Sequence, residues 1–181
     1  MTGRFIAVVG PSGVGKDTVM AALAKADPRL HIVRRVITRD PEAGGEEFDA
    51  ATVEEFNRMV ADDAFALHWG AHDLNYGIPA SVDDLLREND ALANLSRGVL
   101  DQARMRFDDV LVLALTADRE VLARRLAARG RESAPDIAKR LDRAGCALPS
   151  DIEVITIDNS GPLENTVSHA ISALYPESVY R

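Results

Sequence analysis

Apolar residues run unbroken from Phe5 to Val9 and then empty into a glycine-rich stretch, Gly10-Pro11-Ser12-Gly13-Val14-Gly15. A short continuous apolar run closed by glycine predicts a strand buried on both faces, over 4–10. The period changes at Lys16: Val19, Leu23 and Ala26 share one side of a helical wheel, predicting a helix over 16–26 that stops near Asp27-Pro28. "HIVRRVI" (31–37) predicts a second strand, and the turn-rich, charged "TRDPEAGGEEFDA" (38–50) a loop. Thr52 and Glu55 have capping-box spacing and open a helix, "VEEFNRMVAD". "FALHW" (65–69) predicts a short strand, followed by a loop toward "YGIPASVDDLLREN". "ALANLS" (91–96) is a strand with a helix, "RGVLDQARMRF", behind it, and "DVLVLAL" (109–115) is apolar enough to be buried on both faces. Two helical stretches joined by an arginine-laden turn fill 118–144, and "IEVITID" (152–158) and "PLENTVSHAISAL" (162–174) give the last strand and helix. This alternation predicts an α/β protein with a parallel sheet flanked by helices and a module inserted at about 38–90.

Bulk properties narrow the reading. The 181 residues suit one domain, and 46% hydrophobic with 28% charged residues is ordinary for a soluble protein. Cys146 is the single cysteine, so there is no internal disulfide and no cysteine cluster for a metal, and a cytoplasmic setting is expected. The apolar run at Phe5 is too short for a signal core or a membrane span. A net charge of −8 argues against nucleic-acid binding. It also means that any phosphorylated ligand needs local arginines to overcome an unfavourable field.

The glycine stretch is where chemistry first shows. Strand, G-x-x-x-x-G-K and helix together make a phosphate-binding loop, with Gly10, Gly15 and Lys16 in register. Backbone N–H groups of 12–17 would point at phosphate oxygens, the helix start adds a positive dipole end, and Lys16 adds a full charge. The candidate ATP-binding set is therefore Gly10, Pro11, Ser12, Gly13, Val14, Gly15, Lys16, Asp17 and Thr18. A glycine turn without a ligand is the plainer reading, which the strand context disfavours. Asp17 occupies the position of the usual hydroxyl. It is expected to reach Mg2+, with Thr18 assisting, or else merely to favour the helix start.

Taken in order, "GPSGVGKDT", "TRDPEAGGEEFD", "VEEFNRM", "YGIP" and "LARRLAARGRESAPDIAKRL" resemble the guanylate kinase family over nearly the whole chain. The resemblance implies a single domain over 1–181, with a P-loop core at about 1–37 and 91–181. It also implies an acceptor-binding insertion at about 38–90 and an arginine-rich helical lid at about 125–145. Arg39 and Tyr76 match residues that contact the acceptor phosphate, and Arg125, Arg129 and Arg140 match lid arginines. "DNSGP" (158–162) falls where an adenine-contacting loop is expected, with Asn159 as the contact, although turn chemistry alone accounts for the same residues.

The departures carry more information. Guanylate kinases read guanine's donor edge with carboxylates on two strands. Here Leu67 and His68 stand at the first place, and Asn94, Ser96 and Arg97 at the second. Glu42 replaces a family arginine, Arg35 a serine and Phe48 a tyrosine. A pocket without those acids, furnished with Arg35, Arg97, Asn94 and Ser96, suits a hydroxyl-rich, multiply anionic acceptor. With Asp17, this pattern is similar to the ribose 1,5-bisphosphate phosphokinases of phosphonate degradation, which make 5-phosphoribosyl 1-diphosphate from ATP. The resemblance implies ATP and a sugar bisphosphate as partners and Mg2+ as cofactor, with no nucleic acid or membrane; the oligomeric state stays open. Lys16, Arg129 and Arg140 would be catalytic, with Arg125 and Arg131 beside them, whereas Arg124 better fits a solvated helix face. An acceptor phosphate has a second pKa of about 6 and is already ionised, so His31, His68, His72 and His169 need no catalytic role. His68 and His72 are considered as pocket residues only because they lie near Tyr76 in sequence. A true guanylate kinase and a non-catalytic interaction domain are the alternatives.

Overall fold

The computed structural model describes residues 3–41, 47–128, 148 and 151–176. In chain order the elements begin with β1 (Phe5–Val9), α1 (Lys16–Ala26), β2 (Leu30–Ile32), β3 (Val36–Ile37) and β4 (Asp49–Ala50). They continue with α2 (Val53–Ala61), β5 (Phe65–Ala71), β6 (Leu74–Pro79), α3 (Val82–Leu85), β7 (Asp90–Asn94) and α4 (Leu100–Arg106). β8 (Val110–Thr116), α5 (Arg119–Ala128), β9 (Glu153–Asp158) and α6 (Leu163–Leu174) complete them.

The main sheet is five-stranded, in the order β2-β7-β1-β8-β9, and every pairing is parallel. β1 lies at its centre with all five residues buried, as its unbroken apolar run requires. Side chains alternate between the faces. Ile6 and Val8 pack with Val19 and Leu23 of α1 and Ala170 of α6, while Phe5, Ala7 and Val9 pack with Leu100 of α4 and with Leu67 and Ile78 of the inserted segment. The Phe5 and Phe107 rings stack with centroids 4.1 Å apart. Each such large side chain contributes about 1.5–3 kcal/mol on burial.

The insertion forms its own four-stranded sheet, β4-β3-β6-β5. The expected strand over 31–37 is divided between the two sheets: β2 pairs with β7 and β3 pairs with β6. The break falls at Arg34 and Arg35, where Arg34 pairs with Asp49 at 2.9 Å and Arg35 turns to the Asn94 carbonyl. The segment expected to be a loop before "YGIP" is half of a hairpin, β5 against β6. His72 and Asp73 make its turn at φ 53° and 60°, and without glycine there the turn carried no sequence signal. The expected loop 38–50 contains β4, which pairs in parallel with β3. Gly77 is a required glycine: a Cβ there would lie 2.3 Å from the Phe65 ring. The capping box of α2 forms as expected, with Glu55 N–H donating to Thr52 Oγ1 at 3.1 Å and Thr52 N–H to Glu55 at 2.8 Å. The second helical stretch expected within 118–144 falls outside the described residues. Among the described residues no helix is long and apolar enough to cross a membrane.

Candidate active site

The loop after β1 runs into α1 with Gly15 as the cap, in left-handed geometry at φ 92° and ψ 31°, and no side chain caps the helix. A helix start leaves its first N–H groups without intrahelical partners. At this helix start the dipole favours an anion. The loop is held from beneath. Val14 is fully buried, and its carbonyl accepts hydrogen bonds from Asn159 Nδ2 at 2.7 Å and Arg125 Nη1 at 3.3 Å. In a planar trans peptide the N–H points opposite to the C=O, so fixing the Val14 carbonyl downward aims the Gly15 N–H into the cradle. Lys16 Nζ donates to the Gly10 carbonyl at 3.1 Å, spanning the loop.

Asn159, expected from the resemblance at the adenine loop, lies directly beneath the phosphate loop. Its side chain is only 4% exposed, with the amide on Val14 and Oδ1 accepting from Thr166 Oγ1 of α6 at 2.8 Å. In this position it works as a strut under the phosphate loop. Arg125 also meets the loop from below, through Val14.

Opposite the loop, the end of β7 and the start of the insertion converge. Asn94 Nδ2 donates to Asp17 Oδ1 at 2.9 Å, and Arg35 Nη1 donates to the Asn94 carbonyl at 3.0 Å. The Arg35 guanidinium lies 5.2 Å from the centre of the Tyr76 ring, whose other neighbour is Trp69, stacked at 5.4 Å and 10°. Burying a guanidinium is costly unless it is hydrogen-bonded and stacked, and Arg35, 8% exposed, has both. Thus Asp17, Asn94, Arg35 and Tyr76, separated widely in sequence, form one connected group beside the P-loop. Ser96 and Arg97 follow β7 at the same edge, where a turn of 3₁₀ helix begins. Arg39 lies 5.4 Å from the Phe48 ring and lines an open hollow of about 500 Å³ with Thr38, Pro41, Ala51, Thr52 and Glu55.

Leu67, one of the residues replacing a guanine-reading acid, is buried in the core. His68 and His72 are exposed on the hairpin, and His31 and His169 are exposed elsewhere on the surface. Glu42, Arg129, Arg131, Arg140 and most of the expected lid lie outside the described residues. The sequence reading missed Trp69 and Thr166; recognising the β5–β6 hairpin would have paired Trp69 with Tyr76.

A second polar cluster occupies the opposite, amino-terminal edge of the sheet. Asp90 accepts from Arg4 N–H at 2.7 Å, from Arg4 Nη2 at 2.8 Å and from Tyr175 Oη at 2.6 Å. Burial pushes the Asp90 carboxyl up, but the Arg4 N–H, the Tyr175 hydroxyl and the Arg4 guanidinium together hold it below its ordinary range. Burial, and then the bond to Asp90, pushes the Tyr175 phenol up. The Arg29 guanidinium stacks 3.4 Å from the Tyr175 ring centre and bridges Asp27 at 2.6 Å. This cluster ties the end of α6 to the floor of the sheet.

Residues 6–144 match the AAA domain family. The chain is 53% identical over 178 residues to the ribose 1,5-bisphosphate phosphokinase PhnN of Ruegeria sp. strain TM1040, covering 97% of this chain and 93% of that protein. It is 48% identical over 165 residues to the protein of the same name from Agrobacterium fabrum strain C58, covering 89% and 90% of the two chains. The fold is similar to that of guanylate kinase from Anaplasma phagocytophilum, with a TM-score of 0.66 at 19% identity over 99% of this chain and 88% of that one. Sharing about half its residues with such relatives along nearly their whole length, the chain belongs to the ribose 1,5-bisphosphate phosphokinase family of P-loop kinases.

Proposed function

We propose that this protein transfers the γ-phosphoryl group of ATP to the 1-phosphate of ribose 1,5-bisphosphate, giving 5-phosphoribosyl 1-diphosphate and ADP. The observation that carries the reading is the direct link between an uncapped phosphate loop and a buried arginine group. Lys16 and the N–H groups at the start of α1 serve the nucleotide, and Asp17 joins them to Asn94 and Arg35. Phosphoryl transfer needs charge stabilisation and alignment more than covalent help. The attacking acceptor phosphate is already largely ionised near neutrality, with a second pKa of about 6, so no base is required. In this reading Arg35, Tyr76, Asn94, Ser96 and Arg97 hold the sugar bisphosphate, Arg39 contributes from the neighbouring hollow, and Arg129 and Arg140 act on the transferring group.

Mg2+ suits the oxygen chemistry available. Asp17 and Thr18 are exposed on the first turn of α1, and the Asp17 carboxylate oxygen not bonded to Asn94 would be a hard oxygen donor for the ion. Bound there, Mg2+ would supply positive charge beside the phosphates, with Asp17 and Thr18 as the residues to hold it. ATP as donor and a single cysteine fit a cytoplasmic protein.

An assay of ADP release with ribose 1,5-bisphosphate, with GMP and with no acceptor tests the assignment. Turnover confined to the sugar bisphosphate is expected. Faster consumption of GMP would establish a guanylate kinase instead, and ADP release with no acceptor at all would refute both.

A further inference from the structure

The Asp17–Asn94 hydrogen bond is polar in one direction only. An ionised carboxylate accepts hydrogen bonds and donates none. Asn94, with its amide nitrogen 2.9 Å from Asp17 Oδ1, must therefore turn its NH2 toward α1 and its Oδ1 away. The hydroxyl usual at this position of the motif both donates and accepts, and would leave the amide free to flip. The main chain of Asn94 is held as well, through the Arg35 guanidinium on its carbonyl and its pairing with Val8 in the sheet. Among the described residues no group donates to Asn94 Oδ1. Asn94 stands at the carboxyl edge of the parallel strands, where α/β sheets bind ligands.

We infer that Asp17 is a positioning residue that sets the polarity of Asn94, so that the acceptor site offers one neutral, fixed hydrogen-bond acceptor to a sugar hydroxyl. The inference rests on the proposed function and adds how its substrate is chosen. Arg35 supplies charge for a phosphoryl group, and Asn94 Oδ1 receives a hydroxyl. One neutral oxygen is half of what the adjacent N1–H and N2–H2 donors of guanine require. The aspartate in the phosphate loop therefore serves acceptor selection as well as the nucleotide, one carboxylate oxygen to each.

A double-mutant cycle in the full chain tests this, using Asp17→Asn and Asn94→Leu separately and together. KM for ribose 1,5-bisphosphate is measured at saturating ATP and Mg2+, so that any change in metal affinity is suppressed. Each single substitution is expected to raise the acceptor KM about tenfold or more, as loss of a buried hydrogen-bonding partner does. The double variant should be no worse than the poorer single one, because the two residues act as a unit. Asn94→Leu should raise the acceptor KM by a larger factor than the KM for ATP. Asn94→Ser repeats the measurement if the leucine variant does not fold. Effects that multiply, or an Asp17→Asn loss seen in Mg2+ and ATP dependence but not in acceptor KM, would overturn the inference alone. Absence of sugar bisphosphate turnover in the unaltered protein would overturn the functional reading, and the inference with it.

Discussion

Asn159→Asp removes one hydrogen-bond donor at almost constant shape, directly beneath the phosphate loop. The new carboxyl would face the Val14 carbonyl across the 2.7 Å now bridged by the amide, at a position 4% exposed. Losing a buried donor costs about 1–3 kcal/mol. At ~2 kcal/mol a chain of this size should melt about 4–8 °C lower. Burial and the facing carbonyl would raise the carboxyl pKa in the folded state above its unfolded value of about 3.9. The folded state then binds the proton more tightly, so the variant is closest to the original protein below that value and loses stability as pH rises through the folded pKa. Function should follow the same geometry. With the Val14 carbonyl released, the Gly15 N–H loses its aim, and KM for ATP should rise about tenfold while acceptor KM changes little. Melting curves across pH, with steady-state kinetics for each substrate, measure both effects. A melting point and ATP KM equal to those of the unaltered protein, at every pH, would refute the strut argument.

Other substitutions probe other parts of the argument. Phe5→Ala deletes a fully buried ring stacked on Phe107 and should cost about 3–5 kcal/mol in urea unfolding. Gly77→Ala places a methyl 2.3 Å from the Phe65 ring; we expect a loss of about 1–3 kcal/mol by chemical denaturation, with acceptor KM affected more than ATP KM because Gly77 lies beside Tyr76. The depressed pKa of Asp90 means its stabilisation is complete above about pH 4 and is lost as pH falls through the folded value. Asp90→Asn should therefore lower the melting temperature near neutrality and flatten its decline in acid.

Much of the core was legible because local pattern and burial agreed. The run at Phe5–Val9 reads as a buried strand, and the glycines with Lys16 mark the loop that follows it. The capping box at Thr52 and Glu55 likewise depends on residues only three apart. The insertion was harder to read. Its hairpin turns on His72 and Asp73 without the glycine that usually marks a two-residue turn, and β3 and β4 are too short to show a period.

What the chain could declare by itself was the chemistry set by near neighbours: a phosphate loop, an alternating α/β core, and arginines against a negative net charge. Tertiary structure alone decided which residues meet. Asp17 and Asn94 are 77 positions apart, and Val14 and Asn159 are 145 apart. Hydrogen bonds depend on distances of about 3 Å and on direction, and only the parallel packing of β7, β1, β8 and β9 brings those loops to one edge. Asn159 therefore gained a role as a strut, and Asp17 a partner, that no spacing rule could name.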